Sequence, residues 1–346
     1  MNRDRLEELL ARFPTRRIAI IGDFFLDKYL EVDPRLAETS VETGKRANQV
    51  VAIRTSPGAA GTVVNNLAAL GAGTLHALGA TGNDGEAFDL RQGLEAQGCS
   101  TDGLLPFGFL KTPTYLKPRD VNDPSLAGEH ERYDTKNRRL TPPEIGEKIV
   151  ARLDALLSAV DAVIIADQVT DQDCGVITAA VRTVLAERAV QHPSVIFWAD
   201  SRAHIRRFRR VIIKANQFEA VGHENPRPDE VIPIDRLRQA VPRLRAEIGA
   251  PVFITRGAAG MIVSDPEVTL IPGVTLTGPT DPTGAGDSAT AGALLALCAG
   301  ASCAEAALVG CLVASITVEQ LATTGTATPQ QVLERLDLWR EQNSGK

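Results

Sequence analysis

Apolar and polar positions follow two different periods along the chain, and each change of period marks an element. Leu6, Leu9, Leu10 and Phe13 recur at helical spacing among charged residues, which predicts an N-terminal amphipathic helix packed on the body. Ile18 to Ile21 form a solid apolar run ending in Gly22-Asp23, the pattern of a buried strand that gives way to a loop. Residues 24 to about 56 mix aromatic, charged and β-branched residues, as strands with one exposed face do. "PGAAGTVVNNLAALGAG" predicts a glycine-rich turn and a helix closed by Gly71 or Gly73. "LHALGATGNDG" reads as a strand and turn, and "GEAFDLRQGLEAQG" as a helix. From Phe107 to about Asp134 the chain turns polar and strand-like again around an exposed, flexible loop, "NDPSLAGE".

After Pro142 the alternation is regular. Helix "EIGEKIVARLDALLSA" precedes strand "AVIIAD", and helix "CGVITAAVRTVLAER" precedes strand "SVIFWAD". Strand "RVIIKAN", helix "IDRLRQAVPRLRAEIG" and strands "PVFITRG", "GMIVSD" and "VTLIPG" follow. Two helices come last, at about 287–299 and 303–319. Solidly apolar strands alternating with helices predict an α/β fold whose mostly parallel sheet is covered on both faces. The polar strand patches at 24–56 and 107–134 do not fit inside that sheet. They predict a small β-sheet lid, built by two excursions of a single domain spanning 1–346.

With 44% apolar and 23% charged residues the chain is neither disordered nor fibrous. Its net charge of −6 offers no reason to expect nucleic acid or an anionic membrane as a partner, and no apolar run reaches the length of a membrane span. Glu7 and Glu8 interrupt the only leader-like stretch, so no signal peptide is expected. Five cysteines without a CxxC pattern predict free thiols in a reducing cytoplasm. The five histidines form no ligand-spaced pair.

The chemistry concentrates in "TDPTGAGDSATAG". Gly284 and Gly286 can take backbone angles closed to other residues, so their amides and that of Ala285 can converge at a helix N-terminus as an anion cup. A bare anion site would not want Asp287 beside it. A phosphoryl-transfer site would, because the cup meets charge on the moving group while the carboxylate takes the proton of the attacking hydroxyl. Gly284, Gly286 and Ala289 also fit a dinucleotide-binding GxGxxA pattern, with Glu305 at about the right distance. That pattern stands at the wrong end of the chain, and Glu305 sits within a helical pattern rather than at a strand tip. No GxxxxGK[ST] loop occurs.

"DPTGAGDSATAGAL" resembles the C-terminal motif of the ribokinase-like (PfkB) carbohydrate kinases. The resemblance extends through "IIGDFFLD", "KANQFEA", "TRGAAGM" and "TTGTATP", in order, and covers nearly the whole chain. Within the family the chain is most similar to the kinase half of the bifunctional heptose-phosphate kinase/adenylyltransferases. The adenylyltransferase half is not expected, since the sequence ends soon after the kinase pattern. The resemblance implies a ribokinase-like three-layer α/β/α sandwich with a lid, and ATP-dependent, magnesium-assisted phosphorylation of a sugar or sugar phosphate. It implies Asp287 as base, with Gly284, Ala285 and Gly286 as anion hole. Asp23, Gly58, Thr62 and Asn66 would face the sugar. Asn216, Glu219, Thr255, Gly257 and Gly260 would lie on the nucleotide side, and Glu219 would hold magnesium through water. Related lids pair across a homodimer. Two positions of one motif depart from the family: in "PGAAGTVVNN", Ala59 follows Gly58 where paired glycines are usual, and Thr62 stands at the asparagine's place.

Asp167 and Asp200 end strands at the edge where ligands bind, and also suit helix caps. Lys117, Arg119 and Arg132 are candidates to grip a second phosphate if the acceptor carries one, against the plainer reading as ordinary exposed strand charges. The arginines of "RAHIRRFRR" form a solvated face, of which one or two could meet a phosphate. A nucleoside kinase of the same family and a non-catalytic nucleotide- or sugar-binding regulator remain the alternatives.

Overall fold

Residues that bury side chains on both faces form the strands of one large sheet. The computed structural model describes every residue except 124–125, 228–229, 266, 322 and 345–346, so part of the "NDPSLAGE" loop lies outside the described residues. Strand β1 (Arg17–Gly22) leads directly into β2 (Phe24–Thr39), which turns back as β3 (Arg46–Ala59). Then follow β4 (Thr74–Thr81), β5 (Cys99–Pro106), β6 (Thr114–Asp120), β7 (Tyr133–Thr135), β8 (Ala162–Asp167), β9 (Ile196–Ser201) and β10 (Ile212–Asn216). Strands β11 (Val252–Thr255), β12 (Met261–Ser264) and β13 (Val268–Ile271) complete the set. Among the described residues the large sheet has nine strands, ordered β13-β12-β11-β10-β9-β8-β1-β4-β5, and only β12 runs opposite to the others.

The solid run at 18–21 resolves by strand periodicity. Ile18 and Ile20 join one core, while Ala19 and Ile21 join the other. On the first face lie α1 (Arg3–Ala11), α2 (Ala60–Ala69), α3 (Gly85–Ala96), and three later helices given below. The second face carries α4 (Pro143–Asp154), α5 (Ala179–Gln191), the short α6 (Gln217–Ala220) and α7 (Ile234–Ile248). Helices α8 (Ala285–Cys298), α9 (Cys303–Thr317) and α10 (Pro329–Asn343) return to the first face. The architecture is the expected three-layer ribokinase-like sandwich.

Three elements differ from the sequence expectation. Strand β5 is broken by Thr101, Asp102 and Gly103, a pattern tolerated because it forms a sheet edge. Helix α10 follows the two helices expected last; only Val332 and Leu336 are fully buried in it, so its apolar stripe is narrow. Helix α5 begins at Ala179 rather than near Cys174, because the Val176 N–H donates to Asp23 Oδ1 at 2.7 Å and holds that stretch as a loop.

A second, four-stranded sheet has the order β3-β2-β6-β7, from the two polar patches. Where β3 meets α2, Ala59 takes φ +54° and ψ −118°, a conformation that favours glycine. Along β3, Val50, Val51 and Ile53 are exposed.

Candidate active site

Strand order reverses between β1 and β8, and their carboxyl ends open the crevice where α/β sheets bind ligands. Helix α8 points its N-terminus toward this edge. Its N-cap, Gly284, is left-handed at φ +77°, and no side chain caps the first turn. The dipole and open amides there favour an anion. The Ala285 N–H donates to Pro282 O at 3.1 Å, so one of the three amides expected in the cup is already engaged. Gly286 does not take the positive φ expected of it. It is needed for space: a β-carbon there would stand 3.0 Å from Lys214 Nζ.

Lys214 was not anticipated, although a lysine inside the apolar run "RVIIKAN" was a visible signal. It is buried on β10, with Nζ 2.9 Å from Asp200 Oδ2. Burial works against its charge, but Asp200, Asp287 and Glu219 outweigh burial and hold its pKa above the ordinary value. Half-buried Asp287 shows the converse. Burial and the nearby Asp200 push its carboxyl up to about 7, against the pull of Lys214 and Arg202. A carboxylate tuned near neutrality suits proton abstraction.

Asp287 and Gly284 line a cavity of about 120 Å³ together with Thr62, Asp27, Lys117, Arg132 and Arg202. Thr324, from the "TTGTATP" segment, closes the same wall. Asp27 Oδ1 lies 3.1 Å from Lys117 Nζ, both residues being buried. Gly58 makes room for that carboxylate, since a β-carbon at Gly58 would stand 2.8 Å from Asp27 Oδ2. Arg132 forks onto Asp134 at 2.7 and 3.0 Å and stacks 4.2 Å from the Tyr115 ring centroid. Arg119 turns elsewhere, donating to Asp123 O at 3.1 Å.

The structure does not bring Asp23 to this cavity. Its buried carboxylate accepts backbone N–H groups from Gln168 (2.9 Å), Val169 (3.3 Å) and Val176 (2.7 Å), pinning the 168–176 loop to the end of β1. Burial and Asp167 push its pKa up to about 6 despite these donors. Asp27, four residues on in the same "GDFFLD" segment, occupies the cavity instead. Asn66 also stands outside the lining, fully buried and donating to Thr62 O at 2.9 Å. Asp167 is held by Ser201 Oγ at 2.8 Å, with Arg182 at 3.8 Å and His204 at 3.4 Å, a buried network away from Asp287's cavity. Of the arginine cluster, Arg206 pairs with Glu247 at 3.0 Å and Arg209 donates to two carbonyls, as a surface face does.

On the far side of Lys214, Asn216 and Glu219 form a reciprocal cap for α6. Asn216 Oδ1 accepts the Phe218 and Glu219 N–H groups at 2.9 Å each, and Glu219 Oε2 accepts the Asn216 N–H at 2.7 Å. Strand register sets Asn216 beside Thr255. The following turn bends through Gly257 (φ +55°) and Gly260 (φ +86°) into β12. Among the described residues no cluster of three His, Cys, Asp or Glu could cage a metal. Glu219 is a single carboxylate, which suits magnesium shared with phosphate oxygens and water rather than a protein cage.

The chain is 25% identical to the bifunctional protein HldE of Trichlorobacter lovleyi, over all of this chain and 68% of that one, so it spans about two thirds of that relative's length. In structure it resembles phosphofructokinase-2 of Escherichia coli, with TM-score 0.67, 17% identity, and coverage of 93% of this chain and 99% of that one. It likewise resembles ribokinase of Arabidopsis thaliana, solved with ribose and ATP, with TM-score 0.65, 14% identity, and coverage of 93% and 98%. The pfkB family carbohydrate kinase model matches residues 18–331, from β1 into α10, and the chain accordingly belongs to the pfkB family of carbohydrate kinases.

Proposed function

We propose that this kinase transfers the terminal phosphoryl group of ATP to a hydroxyl of a sugar phosphate of the heptose-phosphate kind. The observation that carries the reading is the common lining of one cavity by Asp287, Gly284 and Asp27 with the cations Lys117, Arg132 and Arg202. Asp27, already balanced by Lys117, accepts hydrogen bonds from acceptor hydroxyls. Asp287 takes the proton of the attacking hydroxyl as its oxygen bonds to phosphorus and the bond to the ADP oxygen breaks. The open amides of α8's first turn and the Lys214 ammonium meet the charge of the phosphoryl group in flight.

Asn216, Thr255, Gly257 and Gly260 line the nucleotide side. Glu219 would help hold magnesium, which would supply positive charge to neutralise the phosphates. The small sheet acts as a lid that keeps water from the phosphoryl group. Its exposed Val50, Val51 and Ile53 pair across a homodimer, because an open apolar strand edge needs cover. An ATP donor and five free cysteines suit a reducing cytoplasm.

The test is an ADP-release screen over sugars, sugar phosphates and nucleosides with magnesium and ATP. A sugar phosphate as best acceptor supports the reading. A nucleoside or neutral sugar as best acceptor overturns the substrate class.

A further inference from the structure

A second cavity opens beside the first, at the carboxyl ends of β1 and β8, and the chemistry above does not use it. It measures about 520 Å³, against about 120 Å³ for the cavity of Asp287. That size suits the body of a small ligand. Phe25, Gln168 and Arg202 line both cavities, so the two adjoin.

Gln168 stands at the junction. It is 9% exposed, and its backbone N–H is engaged by Asp23 at 2.9 Å. Its side chain lines both cavities.

The cations differ in their pairing, and Arg202, which lines both cavities, reaches only the Tyr115 hydroxyl, at 3.5 Å. In the smaller cavity Lys117 is tied to Asp27 and Arg132 to Asp134. In the larger one Arg138 reaches only Asp171, at 4.0 Å, and its side chain is 74% exposed. Arg139, next to it, also lines the cavity and has no carboxylate partner among the described residues. The other anion facing this space, Asp23, already accepts three backbone N–H groups.

We infer that the acceptor's own phosphate binds in the larger cavity at Arg138 and Arg139, while Gln168 holds the acceptor where it passes between the cavities. This rests on the sugar-phosphate kinase reading and refines it. The accepting hydroxyl and the resident phosphate must then lie at opposite ends of the molecule, as in a long-chain sugar phosphorylated at its terminal carbon. Arg132 serves Tyr115 and Asp134 and does not grip that phosphate.

The experiment compares heptose 7-phosphate with unphosphorylated heptose for the wild type, Arg138→Ala/Arg139→Ala, Arg132→Ala and Gln168→Leu. Charge-assisted contacts of about 1.5–3 kcal/mol each predict that the double variant lowers the ratio of kcat/KM for the two acceptors by about 10²–10⁴-fold, read in KM. Both arginines are exposed, and an unchanged melting temperature checks the fold. Gln168→Leu raises KM for both acceptors. An unchanged ratio in the double variant, or a full loss of preference in Arg132→Ala alone, overturns the inference. If the wild type releases no ADP with either acceptor, the kinase reading for this substrate fails separately. Calorimetric titration with heptose 7-phosphate then decides the site: equal affinity for wild type and double variant overturns it, and weaker binding by the double variant supports it.

Discussion

Lys214 Nζ stands where a β-carbon on Gly286 would approach to 3.0 Å, and the same nitrogen lies 2.9 Å from Asp200 Oδ2. The glycine therefore admits a buried ammonium to the N-terminal turn of α8. Gly286→Val forces that ammonium aside. Losing one charge-assisted contact of about 1.5–3 kcal/mol should lower turnover about ten- to a hundred-fold. The measurement is steady-state ADP release beside a melting curve. Unchanged kinetics would place the phosphoryl cradle elsewhere.

Asp287→Asn keeps the shape of the site and removes the base. General-base assistance contributes about 10²–10⁴-fold, so turnover should fall by at least that range while nucleotide binding persists. Near wild-type turnover in this variant would falsify the assignment of the base.

The pH profile follows from the same carboxylate. Its pKa is raised to about 7, and only the deprotonated form accepts a proton. The acceptor kcat/KM should therefore fall as pH drops through about 7. The Lys214 ammonium favours the carboxylate form, so Lys214→Met should move this acid limb to higher pH, whatever it does to the plateau. A limb that stays in place would mean Lys214 does not act on Asp287.

Asp23 and Asp27 separate stability from recognition. Asp23→Asn places an amide N–H group among three backbone donors and should destabilise the fold by about 1–3 kcal/mol in urea titration. Asp27→Asn should show its larger effect in the acceptor KM. The opposite pattern would return Asp23 to the sugar.

Association tests the small sheet. Val51 and Ile53 are both exposed on β3, Ile53 at 62%. Light scattering should find a dimer at micromolar concentration for the wild type and a monomer for Val51→Lys/Ile53→Lys. A wild-type monomer would count against pairing through this sheet.

Much of this protein was legible one residue at a time. The glycines before Asp287, the solid strands at 18–21 and 162–167, and the two polar strand patches all signal through neighbours a few positions away. Helix periods, strand periods and turn chemistry are local, so a pattern of apolar and polar positions is enough to specify them. The three-layer sandwich then follows, because apolar strands need cover on both faces.

Only the tertiary structure decided which carboxylate lines the cavity of Asp287. Asp23 and Asp27 sit in one short motif, and nothing local distinguishes them. Amides from 168–176 close over Asp23, while Lys117 from the neighbouring parallel strand of the small sheet comes to Asp27. Lys214 likewise became a site residue only when Asp200 and the first turn of α8 arrived around it. The charge and hydrogen-bond partners of a buried polar group come from distant parts of the chain, and burial makes those partners decisive. Periodicity places such a group on a strand; the packed neighbours determine its chemistry.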